Sequence, residues 1–190
     1  MRKVVLVVVL VLMAGGAQAV TLNVIGGQLM GASDVLVDGS LYDVQFLEGS
    51  CIDLYNGCDD VSDFTFQTRA SALLASQALL DQVFLDGVEG LFGSDIELIN
   101  GCDPWYCVTY TPWGGFFTAT TVAARTIQSY HITVDTTDYL GVDDLVPRDW
   151  DVTALGSSRG TYAVWSPVPE PSTALLLGLG LAGMAARRRV

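Results

Sequence analysis

The sequence predicts an α+β domain, an antiparallel sheet covered by one main helix, with a signal peptide before it and a short membrane helix after it. Three observations carry this. Several short segments alternate apolar and polar residues with period two, one stretch repeats at helical spacing, and near each end of the 190-residue chain an uncharged apolar run lies beside a basic cluster. With 51% hydrophobic residues against 16% charged, and a mean hydropathy of +0.42, the chain is too oily for a wholly soluble one, and the ends supply the excess. The organisation expected is residues 1–19 as signal peptide, 20–166 as a disulfide-bonded passenger, and 167–190 as a tail.

Strands come first in the passenger. Tyr42, Val44 and Phe46 alternate with Asp43 and Gln45, Phe64 and Phe66 flank Thr65, and Tyr130, Ile132 and Val134 alternate with His131 and Thr133. Each reads as a half-buried strand with one wet face. Further strands are expected over 95–100, 105–111, 116–125 and 161–166, whereas Asp135 to Arg159 reads as an acid-rich loop. Arg69 to Leu85 is the helix: Leu73, Leu80 and Phe84 share a side with Ala70 and Gln77, Thr68 is placed to cap it, and Gly87 ends the run.

The N-terminal segment has the parts of an export signal. Met1-Arg2-Lys3 is a basic start, Val4 to Ala14 is an apolar run of 11 residues, and Ala17-Gln18-Ala19 offers the small residues that signal peptidase requires. As a helix that run measures about 16 Å, too short to span roughly 30 Å of hydrocarbon as an anchor.

At the other end, Pro169-Glu170-Pro171 interrupts any element arriving from the domain, Thr173 to Ala186 carries no charge, and Arg187, Arg188 and Arg189 follow. Arginines in that position are held on the cytoplasmic side, which leaves the passenger facing the periplasm and the precursor tethered to the inner membrane. The order of proline-flanked glutamate, glycine-rich apolar helix and terminal arginine cluster resembles the PEP-CTERM sorting tail of exported proteins in Gram-negative bacteria that make exopolysaccharide. The resemblance implies processing by exosortase, a membrane-embedded thiol protease-transpeptidase, with Pro169, Glu170 and Pro171 as recognition residues that are not catalytic in this chain, and Arg187, Arg188 and Arg189 as the rest of the sorting motif. It also implies release to the cell surface or medium, where exopolysaccharide is a candidate partner. The segment from Gly39 to Cys51 resembles a pattern in small passengers carrying this tail, which implies one compact domain beginning near residue 20.

Between the two ends, residues 20–168 hold four arginines, no lysine and 20 acids, a net charge of −16. Such a surface repels phosphate, so nucleic acid is excluded as a partner. Cys51, Cys58, Cys102 and Cys107 fall in the exported part, where disulfides persist. Local pairing, 51 with 58 and 102 with 107, closes small loops at little cost, and the spacings are too wide for a C-x2-C zinc knuckle. Both loops contain Asn-Gly-Cys-Asp, at 56–59 and 100–103, where Asn-Gly marks a tight turn.

Candidate chemistry is sparse. His131 is the only histidine and sits on the polar side of its expected strand, and the serines that could join it, such as Ser129 and Ser157, lack a nucleophile-elbow motif. Glu48, Glu89 and Glu97 keep a secreted hydrolase with paired carboxylates in view. Asp53, Asp59, Asp60 and Asp63, with Asn56, are candidate calcium ligands, as is a second group from Asp135 to Asp151, although neither follows the D-x-[DN]-x-[DN]-G order. Trp105, Tyr106, Tyr110, Trp113, Phe116 and Phe117 could stack on sugar rings or pack into the core. The expectation is a non-enzymatic structural or adhesive passenger needing no cofactor, with a calcium- or glycan-binding module and a secreted hydrolase as alternatives.

Overall fold

The computed structural model describes residues 19–104, 106–114, 121–130, 139–152 and 160–169. Three strands follow one another at the start: β1 (Thr21–Ile25), β2 (Gln28–Val37) and β3 (Ser40–Leu47). Tight turns join them. Gly26 and Gly27 (φ 63° and 92°) link β1 to β2, and Asp38 and Gly39 (φ 48° and 83°) link β2 to β3, both in the left-handed conformation that two-residue hairpins require. A short helix α1 (Cys51–Leu54) and a 3-10 turn (Val61–Asp63) lead into the main helix α2 (Arg69–Gln82). A two-stranded ribbon, β4 (Asp86–Gly87) with β5 (Gly90–Leu91), and a 3-10 turn (Ile96–Leu98) precede β6 (Tyr106–Trp113), β7 (Thr121–Tyr130), β8 (Tyr139–Pro147) and β9 (Gly160–Pro167).

Seven strands form one sheet in the order β1-β2-β3-β9-β6-β7-β8. The sheet is mixed, not purely antiparallel as the sequence suggested. β9, the last strand in the chain, enters the middle, antiparallel to β3 and parallel to β6. Helix α2 lies on one face and touches β2, β6, β7 and β8.

Thr68 caps α2 as its sequence position predicts, accepting from the Ser71 amide in a reciprocal capping box. The stripe expected to face the sheet is shifted. Ala72, Ala75, Ser76 and Leu79, at i, i+3, i+4 and i+7, are buried, while Leu73 and Leu80 are half-buried on the flank. Small side chains let the helix backbone lie close to the sheet, so burial follows size here more than hydropathy. The helix also stops at Gln82, before the expected Leu85.

The core has two parts. Between α2 and the sheet lie Leu29, Val35, Val44, Phe46, Leu79, Phe92, Ile99 and Trp165. On the opposite face Cys51, Cys58, Phe64, Val108, Tyr110, Val146 and Tyr162 form a second cluster. Along β9, Ala163 and Trp165 face the first cluster while Tyr162 and Val164 face the second. The expectation of one wet face therefore fails at the centre, because the loop closed by Cys51 and Cys58 covers it.

Four local expectations change. Residues 64–66 alternate but join no strand: Phe64 packs into the second cluster, Phe66 into the first, and the Thr65 hydroxyl donates to the Trp165 carbonyl at 2.5 Å. Over 95–100 the chain makes a 3-10 turn with a single bridge from Ile99 to Leu29 in place of a strand. The segment read as an acid-rich loop contains β8, paired along β7. β1 and β2 were not among the expected strands; in β2 a bulge between Ala32 and Val35 breaks the alternation. Residues 131–138, with His131, lie outside the described residues.

Candidate functional site

The junction between domain and tail is built by β3 and β9. Pro167 pairs with Tyr42 in the sheet, the Val168 amide donates to the Leu41 carbonyl at 2.9 Å, and Pro169 is exposed. The backbone is thus held up to the residue before the Pro-Glu-Pro segment. Glu170, Pro171, Arg187, Arg188 and Arg189 lie outside the described residues, as do residues 1–18 with the expected signal sequence. Among the described residues no helix is long and apolar enough to cross a membrane.

Both disulfides join near neighbours in the chain. Cys51 and Cys58 have a Cα–Cα separation of 5.8 Å, Cys102 and Cys107 one of 5.1 Å, both within the range a disulfide accepts. Gly57 and Gly101, in the shared Asn-Gly turns, have φ of 88° and 84°, so each turn uses its glycine for a left-handed bend. The two turns differ in setting. Asn100 donates from its side chain to the Phe46 carbonyl at 2.8 Å and from its amide to the Leu29 carbonyl, anchoring its loop to β2 and β3. Asn56 reaches only Asp63 on the surface, at 3.4 Å.

The candidate calcium ligands serve local turns. Asp53 accepts from the Ser50 hydroxyl. Asp60 accepts from the Ser62 amide at 2.9 Å and from its hydroxyl at 2.8 Å, and these bonds hold its carboxyl below the usual carboxylate range. Asp63 accepts from the amides of Asp59 and Asp60. Asp59 faces Arg148, whose guanidinium lies 4.0 Å away and also donates to the Cys58 carbonyl at 3.2 Å. Among the described residues no three His, Cys, Asp or Glu side chains gather as a metal-holding group. Of the second acidic group, Asp135 and Asp138 lie outside the described residues.

Tyr110 and Trp113 are buried, in the two core clusters, and so are not presented to a sugar ring. Trp105, Phe116 and Phe117 lie outside the described residues, as does Ser157. Burial pushes the hydroxyls of Tyr55 and Tyr162 above the ordinary phenol range. The Tyr55 hydroxyl donates to the Ala163 carbonyl at 3.2 Å, and the nearby Asp151 charge adds to the effect at Tyr162.

One groove of about 290 Å³ opens where β1 begins, lined by Val20, Leu22, Gln82, Leu85, Val88 and Glu89 among others. Beside it, the Gln82 side chain accepts from the Leu36 amide at 3.0 Å and donates to the Leu36 carbonyl at 2.9 Å. β1 pairs with β2 only as far as Ser33, so Gln82 stands in for the missing strand. Nothing local in the sequence marks this role, because it depends on where β1 stops.

Residues 167–189 match the family model of the PEP-CTERM protein-sorting motif. No curated protein and no solved structure gives a significant match. The match starts on the last residue of β9, so motif and folded domain meet without an intervening linker. The chain therefore carries a PEP-CTERM sorting motif over its last residues, and a motif of this kind points to an exported protein addressed to exosortase.

Proposed function

We propose that this chain is an exported surface or matrix protein whose precursor stays tethered to the inner membrane, passenger facing the periplasm, until exosortase acts on the tail. The observation that carries the reading is the junction. A complete sheet ends at Val168, and the sorting motif continues from it directly. Processing beyond that point leaves every strand in place. The passenger's role is structural or adhesive: Asp60 and Asp63 stabilise turns, Tyr110, Trp113 and Tyr162 among the described aromatic residues fill the core, and a strongly acidic composition keeps the particles soluble.

Intact mass of the exported protein, from cells with and without exosortase, tests this. Loss of the mass of residues beyond 169 only where exosortase is present is the expected result, together with four hydrogens missing for the two disulfides. A mature form that retains Arg187 to Arg189 in cells with exosortase overturns the reading.

A further inference from the structure

We propose that the end of the domain from which both chain termini leave is its membrane-facing end, where Leu36, Leu85 and Val88 rest on a neutral lipid headgroup surface while the tail holds the precursor in place. The proposal rests on the tethered-precursor reading above.

Register places the termini together. Thr21, at the start of β1, is level with Ser33 of β2, and Pro167, at the end of β9, pairs with Tyr42, which in turn pairs with Val35. The first strand therefore begins, and the last strand ends, within two residues of one level. β1 and β9 are three strand positions apart, about 14 Å at the usual spacing. Segments on either side of the domain can thus lie in one membrane without the chain passing around it.

The reach on the tail side is short. Only residues 169–172 separate the last sheet-linked residue, Val168, from the apolar run at Thr173, about 17 Å even when fully extended. A precursor anchored by that run holds this end of the sheet against the bilayer.

The same end carries exposed apolar side chains. Leu36 is 51% exposed beside the β2–β3 turn, Leu85 is 48% exposed, and Val88 at the tip of the β4–β5 ribbon is fully exposed. Gln82 ties the end of α2 to Leu36, and Val20 and Leu22 share the groove with Leu85 and Val88, so these residues belong to one corner of the molecule. Scattered apolar residues are ordinary on a surface. Clustering beside a membrane tether gives these a partner. Asp38, Asp86 and Glu89 at this end repel anionic lipid, which selects zwitterionic headgroups.

Full-length precursor carrying either Val88→Trp or Ile25→Trp, reconstituted through its tail into phosphatidylcholine vesicles containing headgroup-spin-labelled phosphatidylcholine as quencher, tests the orientation. Ile25 is exposed at the opposite end, next to the Gly26–Gly27 turn. Relative to the unsubstituted precursor in the same vesicles, the expected result is loss of the added emission for Val88→Trp and none for Ile25→Trp, with quenching reduced when phosphatidylglycerol replaces part of the lipid. Protease protection of the tail reports insertion separately. An inserted tail with no quenching at Val88→Trp, or equal quenching at both positions, overturns the orientation and leaves the tether standing. A tail that does not insert overturns both.

Discussion

Gln82 and Gly31 show how much one residue can hold here. Gln82 closes the open edge of β2 with two hydrogen bonds from a half-buried side chain, so Gln82→Ala is expected to lower stability by about 1 kcal/mol, seen as a lower urea midpoint with an unchanged slope. At Gly31 a Cβ would meet the Val44 carbonyl oxygen of the neighbouring strand, so Gly31→Ala is expected to cost about 3 kcal/mol or to abolish soluble export. Ser76 points the other way. Its hydroxyl is buried against the sheet and finds no hydrogen-bond partner, so Ser76→Ala is expected to raise the urea midpoint, by about 1 kcal/mol. Charge supplies a fourth expectation. Asp86 accepts from the Ser94 hydroxyl and from the amides of Gly93 and Ser94, which holds its carboxyl below the ordinary value, as Ser62 does for Asp60. A lowered folded-state value stabilises the fold above the unfolded value near 4, and that contribution is lost as pH falls through the folded value. Asp86→Asn is therefore expected to flatten the loss of melting temperature in acid. Tyr55 and Tyr162 have the opposite sign: their raised values favour the fold until pH climbs past the ordinary phenol value near 10, so alkaline unfolding and tyrosinate absorbance are expected to appear together.

Among the elements, the two disulfide loops do different work. The Cys51–Cys58 loop lies over the second face of the sheet, with both cysteines fully buried, while the Cys102–Cys107 loop leads into β6 and is pinned by Asn100. Chain entropy assigns each closure about 2 to 2.5 kcal/mol. Replacing Cys51 and Cys58 together is expected to cost more than that, because the loop also shields Tyr162 and Val108, and a urea titration of the two double variants measures the difference. The pairing was legible in the sequence from spacing and compartment. The covering role was not, since it depends on which face the loop folds over. Helix α2 teaches the same distinction: its cap and approximate span could be read from Thr68 and the periodicity, whereas its buried side is decided by how closely Ala72 and Ala75 allow the sheet to approach.

For the whole molecule, the decisive feature is that the last strand completes the middle of the sheet. β9 bonds to β3 on one side and β6 on the other, so a chain ending before residue 160 has only two separate halves, β1-β2-β3 and β6-β7-β8, with nothing to join them. Residues 20–169 are expected to melt cooperatively, at a temperature close to that of the full passenger, while residues 20–159 are expected to remain unfolded by circular dichroism. Folding of the passenger is then completed only once residues 160–167 are available to join β3 and β6. Such an arrangement suits a sorting signal read after export.

The sorting tail, the local disulfide partners, the capped helix and the acid excess were determined by sequence alone, because each depends on residues close together in the chain or on composition. Strand order, the parallel contact of β9 with β6, the edge closed by Gln82 and the shared level at which β1 begins and β9 ends were decided by tertiary structure. Those features join residues far apart in the chain, and pairing between distant strands is set by which faces can be buried together, a quantity that local periodicity does not contain.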